Sequence, residues 1–149
     1  MMISAGFHEV PGRDIPGILD EATRQGVPVF TLTTAGRTDK EAFFGAVQET
    51  LPLDPALGPH LVWDALSDSV WSGLHELKSP RVVIVWPDAQ PVAGAEGDFW
   101  IALEILCDVI AGLAEVRYTG GRPTQVSIYV APAPCGGEAV PVSGTTSRA

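Results

Sequence analysis

The sequence predicts an α/β fold: a small three-stranded parallel sheet packed with about four helices, followed by a flexible C-terminal tail. Three observations carry that expectation. Apolar, β-branched runs alternate along the chain with stretches of helical period. One of these runs, "RVVIVW" at residues 81 to 86, is apolar almost without interruption, as a central parallel strand covered on both faces must be. The stretch from Phe99 to about Glu115 is apolar nearly all round and too long for a strand, so it reads as a helix pressed against that sheet.

Taken in order, the chain first offers a helix over Ile15 to Gln25, opening after Asp14 with Pro16 in its first turn. Residues 26 to 34, "GVPVFTLTT", follow as a β-branched and aromatic strand. In "TDKEAFFGAVQETL" Thr38 is the expected cap, Glu41 holds the capping-box position, and Phe43, Val47 and Leu51 recur at helical intervals. The second helix therefore runs to about Thr50, and Pro52 and Pro55 end it. A third helix begins near His60, with Leu61, Val62, Ala65, Leu66 and Val70 on one face and His60, Asp64, Ser67, Asp68 and Trp71 on the other. After "RVVIVW" and the long apolar helix, "TGGRP" turns the chain into a last strand, "TQVSIYV", at 124 to 130. The expected domain spans residues 1 to 130, with 14 to 25 as an extra N-terminal helix. From Ala131 to Ala149, prolines and glycines without periodicity read as a flexible tail.

A chain of 149 residues, 46% of them apolar, has enough material for one well-buried core. Its 9 Lys and Arg against 18 Asp and Glu give a net charge of -9, which repels a phosphate backbone and points away from nucleic acid and toward a basic protein partner. Solubility alone is the plainer explanation of such an acid excess. The N-terminal stretch lacks a basic start followed by an apolar run, and no apolar stretch reaches the roughly 20 residues of a membrane span. A cytoplasmic protein without a membrane partner is expected. Cys107 reads as a small buried hydrophobe and Cys135 as a tail thiol, with neither disulfide nor zinc spacing.

Charge is segregated along the chain. Between Lys40 and Lys78 stand Glu41, Glu49, Asp54, Asp64, Asp68 and Glu76 with no Lys or Arg, and between Arg81 and Arg117 stand Asp88, Glu96, Asp98, Glu104, Asp108 and Glu115. Within "HLVWDALSDSV", Asp64 and Asp68 lie four apart, a like-charge spacing that costs a helix about 0.2 to 0.5 kcal/mol. A solvated helix face tolerates that cost. The sharper reading is an external cation, arginine above all, whose planar fork matches carboxylate at two points. Trp63 sits between the two faces, Trp71 on the acidic side as a contact candidate, and Trp86 and Trp100 are assigned to packing.

Other chemistry is poorly supported. His60, Asp64 and Asp68 would place three ligands along one helix face, but no fourth ligand or ordered outer shell is identifiable, so a metal-dependent enzyme is the weaker reading. Two water-exposed aspartates have little to separate their pKa values for acid/base work. No phosphate-cradling glycine loop or nucleophile elbow occurs, Gly120 and Gly121 read as a turn, and His8 and His75 read as surface residues without partners. Neither a cofactor nor a metal is implied.

The residues "LGPHLVWDALSDSVW" resemble the signature segment of the barstar family, intracellular inhibitors of small secreted guanyl-preferring ribonucleases. The resemblance spans roughly residues 27 to 130, its most specific piece being Trp63-Asp64-Ala65-Leu66 with Pro52 upstream, and the helix before the first strand resembles a longer, actinobacterial-type branch. It implies that an acidic helix and the loop before it plug the nuclease active site. Asp64 would then imitate substrate phosphate, with Ser67 and Asp68 in the same contact segment. Asp54 stands at a loop position where the family usually has an aromatic, His60 lies in the same departing loop, and Asp108 falls near a further acidic contact. The alternative is an immunity or binding module on the same fold whose basic partner is not a ribonuclease.

Overall fold

The computed structural model describes residues 3–132. In chain order these form β1 (Gly6–Glu9), α1 (Ile15–Arg24), β2 (Val29–Thr31), α2 (Lys40–Thr50), α3 (Trp63–Glu76), β3 (Arg81–Trp86), α4 (Glu96–Ala114) and β4 (Gln125–Val130). Short 3-10 turns stand at Gly12–Asp14 and Val116–Tyr118. One sheet runs in the order β1, β4, β3, β2, and every pairing in it is parallel.

The sheet thus has four strands where three were expected. The added one, β1, has the sequence Gly-Phe-His-Glu, which is neither β-branched nor alternating, and it sits at an edge paired with β4 alone. Its stability comes from the neighbour: Phe7 aligns with Ile128, and His8 stacks on Tyr129 with ring centroids 5.0 Å apart. His8 is accordingly half-buried with an aromatic partner, not a free surface residue.

Register explains why β3 is apolar throughout. Phe7, Ile128, Ile84 and Phe30 line up across the four strands and face the core shared by α2, α3 and α4. The alternate positions Val83, Val85 and Tyr129 face the opposite side, where α1 buries Ile15, Ile18 and Ala22. Successive side chains of a strand point to opposite faces, so β3, with a core on each side, carries apolar residues at successive positions instead of alternating apolar with polar.

Several local expectations change. Asp39, not Thr38, caps α2 by accepting from the Ala42 N–H at 2.8 Å. Thr38 is instead fully buried, its hydroxyl 3.0 Å from that of Thr34. In α3, Val62 is the residue before the helix and 50% exposed, and Ala65 is exposed, while Leu66, Ser69, Val70, Gly73 and Leu74 form the buried face. Trp100, assigned to packing, is 64% exposed, and Cys107 opens to solvent. Both lie off the stripe Ala102, Ile105, Leu106, Val109 and Leu113 with which α4 covers the sheet; Phe99, Ile101, Leu103 and Ile110 pack at the margin of that core, and Trp100 meets the edge of the Phe99 ring. Partial burial, helped by the carboxylate of Asp108, still raises the Cys107 thiol above its ordinary pKa.

The packed chain also extends past its expected end. Ala131 is fully buried, donating to the Trp86 carbonyl at 2.9 Å and accepting from the Ala89 N–H at 3.1 Å. The rest of the expected tail from residue 133 on, Cys135 included, lies outside the described residues. Among the described residues no helix is long and apolar enough to cross a membrane.

Trp86 is fully buried, whereas Trp100 ends the same aromatic row at the surface. Trp86→Ala should cost about 3–5 kcal/mol in urea unfolding, and Trp100→Ala no more than about 0.5 kcal/mol.

Candidate protein-binding face

The acidic segment is held in place by a glycine. After α2, Leu51 turns inward and the backbone of Pro52 and Leu53 crosses α3 against Gly73, where a Cβ would stand 2.0 Å from the Pro52 carbonyl oxygen. The next residue, Asp54, donates its N–H to the Ser69 carbonyl at 3.1 Å. A glycine inside a helix costs about 1 kcal/mol relative to alanine, and here the absent side chain permits the close backbone approach that brings the loop beside the helix. The sequence signal was available: an isolated Gly one turn from the end of an otherwise regular helical pattern.

Residues 55 to 62 then lead to the N-terminus of α3. Val62 makes no side-chain cap, and Asp64 is the acid of the first turn. A carboxylate there meets the positive end of the helix dipole, worth about 0.3 to 1 kcal/mol, which equals or exceeds the repulsion between Asp64 and Asp68. The pair is therefore less costly to the helix than its spacing alone suggests. Asp68, a turn further on, receives no such help.

Asp64 and Asp68 are exposed, and Ser67 beside them is half-buried. His60 and Asp54 are exposed in the preceding loop. His60 precedes the helix, so the ladder of three ligands at four-residue steps does not form. Among the described residues no group of three or more His, Cys, Asp or Glu is arranged to hold a metal.

The tryptophans divide differently from expectation. Trp63 is half-buried against Phe44 at 5.1 Å and Phe43 at 6.2 Å between ring centroids, and the Lys40 ammonium stands 5.6 Å from its ring. A lysine absent from the local sequence is thus delivered by α2 to the start of α3. Trp71 is wedged against Gly112 of α4, where an added Cβ would lie 2.8 Å from the indole nitrogen, and it stacks on His75 at 5.1 Å. The His75 ring nitrogen in turn lies 3.1 Å from the Thr119 carbonyl. Trp71 and His75 therefore pack α3 onto α4, and His75 is not the unpartnered surface residue expected. Asp68 precedes Trp71 by three residues and Asp108 precedes Gly112 by four. Each of these exposed acids therefore lies about one 5.4 Å turn from that contact along its own helix.

Acids across the molecule fall into two groups. Asp39 caps α2, Asp88 accepts from the Thr33 hydroxyl at 2.5 Å and the Thr34 N–H at 3.1 Å, and Asp98 accepts from the Lys40 N–H at 3.0 Å. Those carboxylates hold turns and helix starts together. Asp54, Asp64, Asp68 and Asp108 form no side-chain hydrogen bond or ion pair with the described residues, whose ion pairs are Glu21 with Arg24 and Glu115 with Arg117.

The family model described as Barstar (barnase inhibitor) matches residues 27–128. The chain belongs to the barstar family. The match covers the fold from just before β2 into β4 and includes α3 whole, leaving β1 and α1 outside it. No curated protein and no solved structure matches the chain.

Gly73→Ala should force the Pro52 carbonyl away from α3. The expected loss of about 1–3 kcal/mol, measured by thermal unfolding, would be accompanied by a change in the amide resonance of Asp54, whose bond to Ser69 is broken.

Proposed function

We propose that this chain is a barstar-type inhibitor that blocks the active site of a small, basic, secreted ribonuclease with the Asp64 and Asp68 face of α3. The observation that carries the reading is the pairing of family membership with two exposed aspartates on one helix that no described cation neutralises. Asp64 stands in for substrate phosphate, and the nuclease supplies the arginines that its substrate would otherwise engage. Asp54 and His60 from the loop, and Ser67 from the helix, border the contact.

The mechanism needs no cofactor. A net charge of -9 steers a cationic enzyme toward the inhibitor, an effect that fades beyond about 10 Å at moderate salt. Release is slow because the carboxylate and guanidinium groups, once dry, would each be left buried and unpaired if one partner were withdrawn. Trp63 contributes through its packing on Phe43 and Phe44, which fixes the helix start that carries Asp64.

Titration of the chain against a small guanyl-preferring ribonuclease tests the reading. Asp64→Ala should weaken inhibition by about 3–5 kcal/mol, the cost of stranding a buried arginine, whereas Asp20→Ala on α1 should leave it unchanged. Equal effects of the two substitutions would refute the face. Capture of a basic protein without nuclease activity, through the same Asp64-dependent contact, would instead favour the immunity-module alternative.

A further inference from the structure

We propose that Lys40 is a specificity-determining residue of the α3 face: its ammonium pairs with a carboxylate that the ribonuclease carries beside its arginines, and it turns away basic surfaces that lack one. The inference rests on the inhibitor reading above and adds to it the kind of ribonuclease surface that fits.

Lys40 is the first residue of α2 and half-buried, and its ammonium is held at the start of α3, 5.6 Å from the Trp63 ring and 6.0 Å from the Phe44 ring. Aromatic faces attract a cation without engaging its three N–H donors as an oxygen would. Among the described residues the charge has no counter-charge, since the ion pairs there join Glu21 to Arg24 and Glu115 to Arg117. The acids around it are engaged elsewhere or stand apart. Asp39 caps α2 at the Ala42 N–H, Asp98 accepts from the backbone N–H of Lys40 itself, and Glu41, the next residue, forms no ion pair with it. Nor does α2 gain from the charge, because a cation in the first turn opposes the helix dipole. A chain with 18 acids and 9 Lys and Arg thus leaves an unpaired ammonium over Trp63, the residue next to Asp64.

A partner that covers the start of α3 dries this ammonium together with the Asp64 carboxylate. Burying a charge without a counter-charge is strongly unfavourable, so a partner that offers arginine alone satisfies Asp64 and strands Lys40. The surface that fits both places an arginine against Asp64 and, on the α2 side of it, a carboxylate against Lys40. A ribonuclease active site has a chemical reason to hold such a pair: cations bind the phosphate, and a base beside them takes the proton of the attacking ribose hydroxyl, a task that a carboxylate performs. Basic surfaces of other function have no such requirement. Lys40 therefore discriminates among partners that a net charge of -9 attracts alike.

The test is calorimetric titration of a small guanyl-preferring ribonuclease with the wild-type chain and with Lys40→Met, which keeps an apolar stem on Trp63 and loses the charge. The titrations are repeated with each acidic residue of the ribonuclease active site changed in turn to its amide. Lys40→Met should weaken binding of the intact enzyme about tenfold or more, with an unchanged circular dichroism spectrum, and that penalty should vanish against one of the amide variants. Binding of the intact enzyme by Lys40→Met as tight as by wild type, or tighter, overturns the proposal, as does a loss of equal size against every variant. Weakening by Asp64→Ala without weakening by Lys40→Met removes the role of Lys40 and keeps the inhibitor reading, whereas no binding by the wild-type chain removes both.

Discussion

The end of β3 is the point on which the architecture converges. Trp86 is fully buried there, its indole N–H donating to the Thr34 hydroxyl at 3.3 Å and its ring touching Phe43 of α2 at 5.4 Å and Phe99 of α4 at 6.0 Å. Through Phe43 the same row reaches Trp63 at the start of α3. One side chain thus ties the turn before α2 to the starts of three helices, and its polar atom is satisfied within the core, as a buried donor must be. Whatever α3 presents to solvent depends on this row for its orientation.

The division of labour among the carboxylates follows from position. Asp39, Asp88 and Asp98 stand where helix starts and turns leave backbone N–H groups without partners, and each is consumed by one or more of them. Asp64 and Asp68 accept from none of the backbone N–H groups of α3, and Lys40, brought to that end by α2, lies over the Trp63 ring instead of bonding either acid. The acid excess of the chain is therefore only partly a surface charge available to a partner. Part of what is available lies on α3, the loop before it and α4, in Asp54, Asp64, Asp68 and Asp108, while Glu9, Asp20, Glu41 and Glu49 are exposed elsewhere.

Small residues decide the approach of elements as much as large ones do. Gly73 admits the Pro52 backbone and Gly112 admits the Trp71 indole, so both sides of α3 are seated by the absence of a side chain. In composition these residues look like weak points in helices. In the folded chain they set where Asp54 lies relative to α3 and where Asp68 lies relative to Asp108.

By itself the sequence determined the elements whose pattern is local: the continuous apolar β3, the helical spacing of α2, the Pro-bounded loop, and the acidic segment from Trp63 to Asp68. Local pattern suffices there because strand and helix periods are written into successive residues. Tertiary structure alone decided the rest. It recruited β1, whose residues are ordinary until Ile128 and Tyr129 lie beside them, and it exposed Trp100 and Cys107, because burial depends on what covers a helix and not on how apolar it is. It placed Lys40 beside Trp63 and turned Trp71 and His75 into packing between helices. It also separated the acids spent on backbone groups from those left free, since the partner of a carboxylate is fixed by contacts between residues distant in the chain.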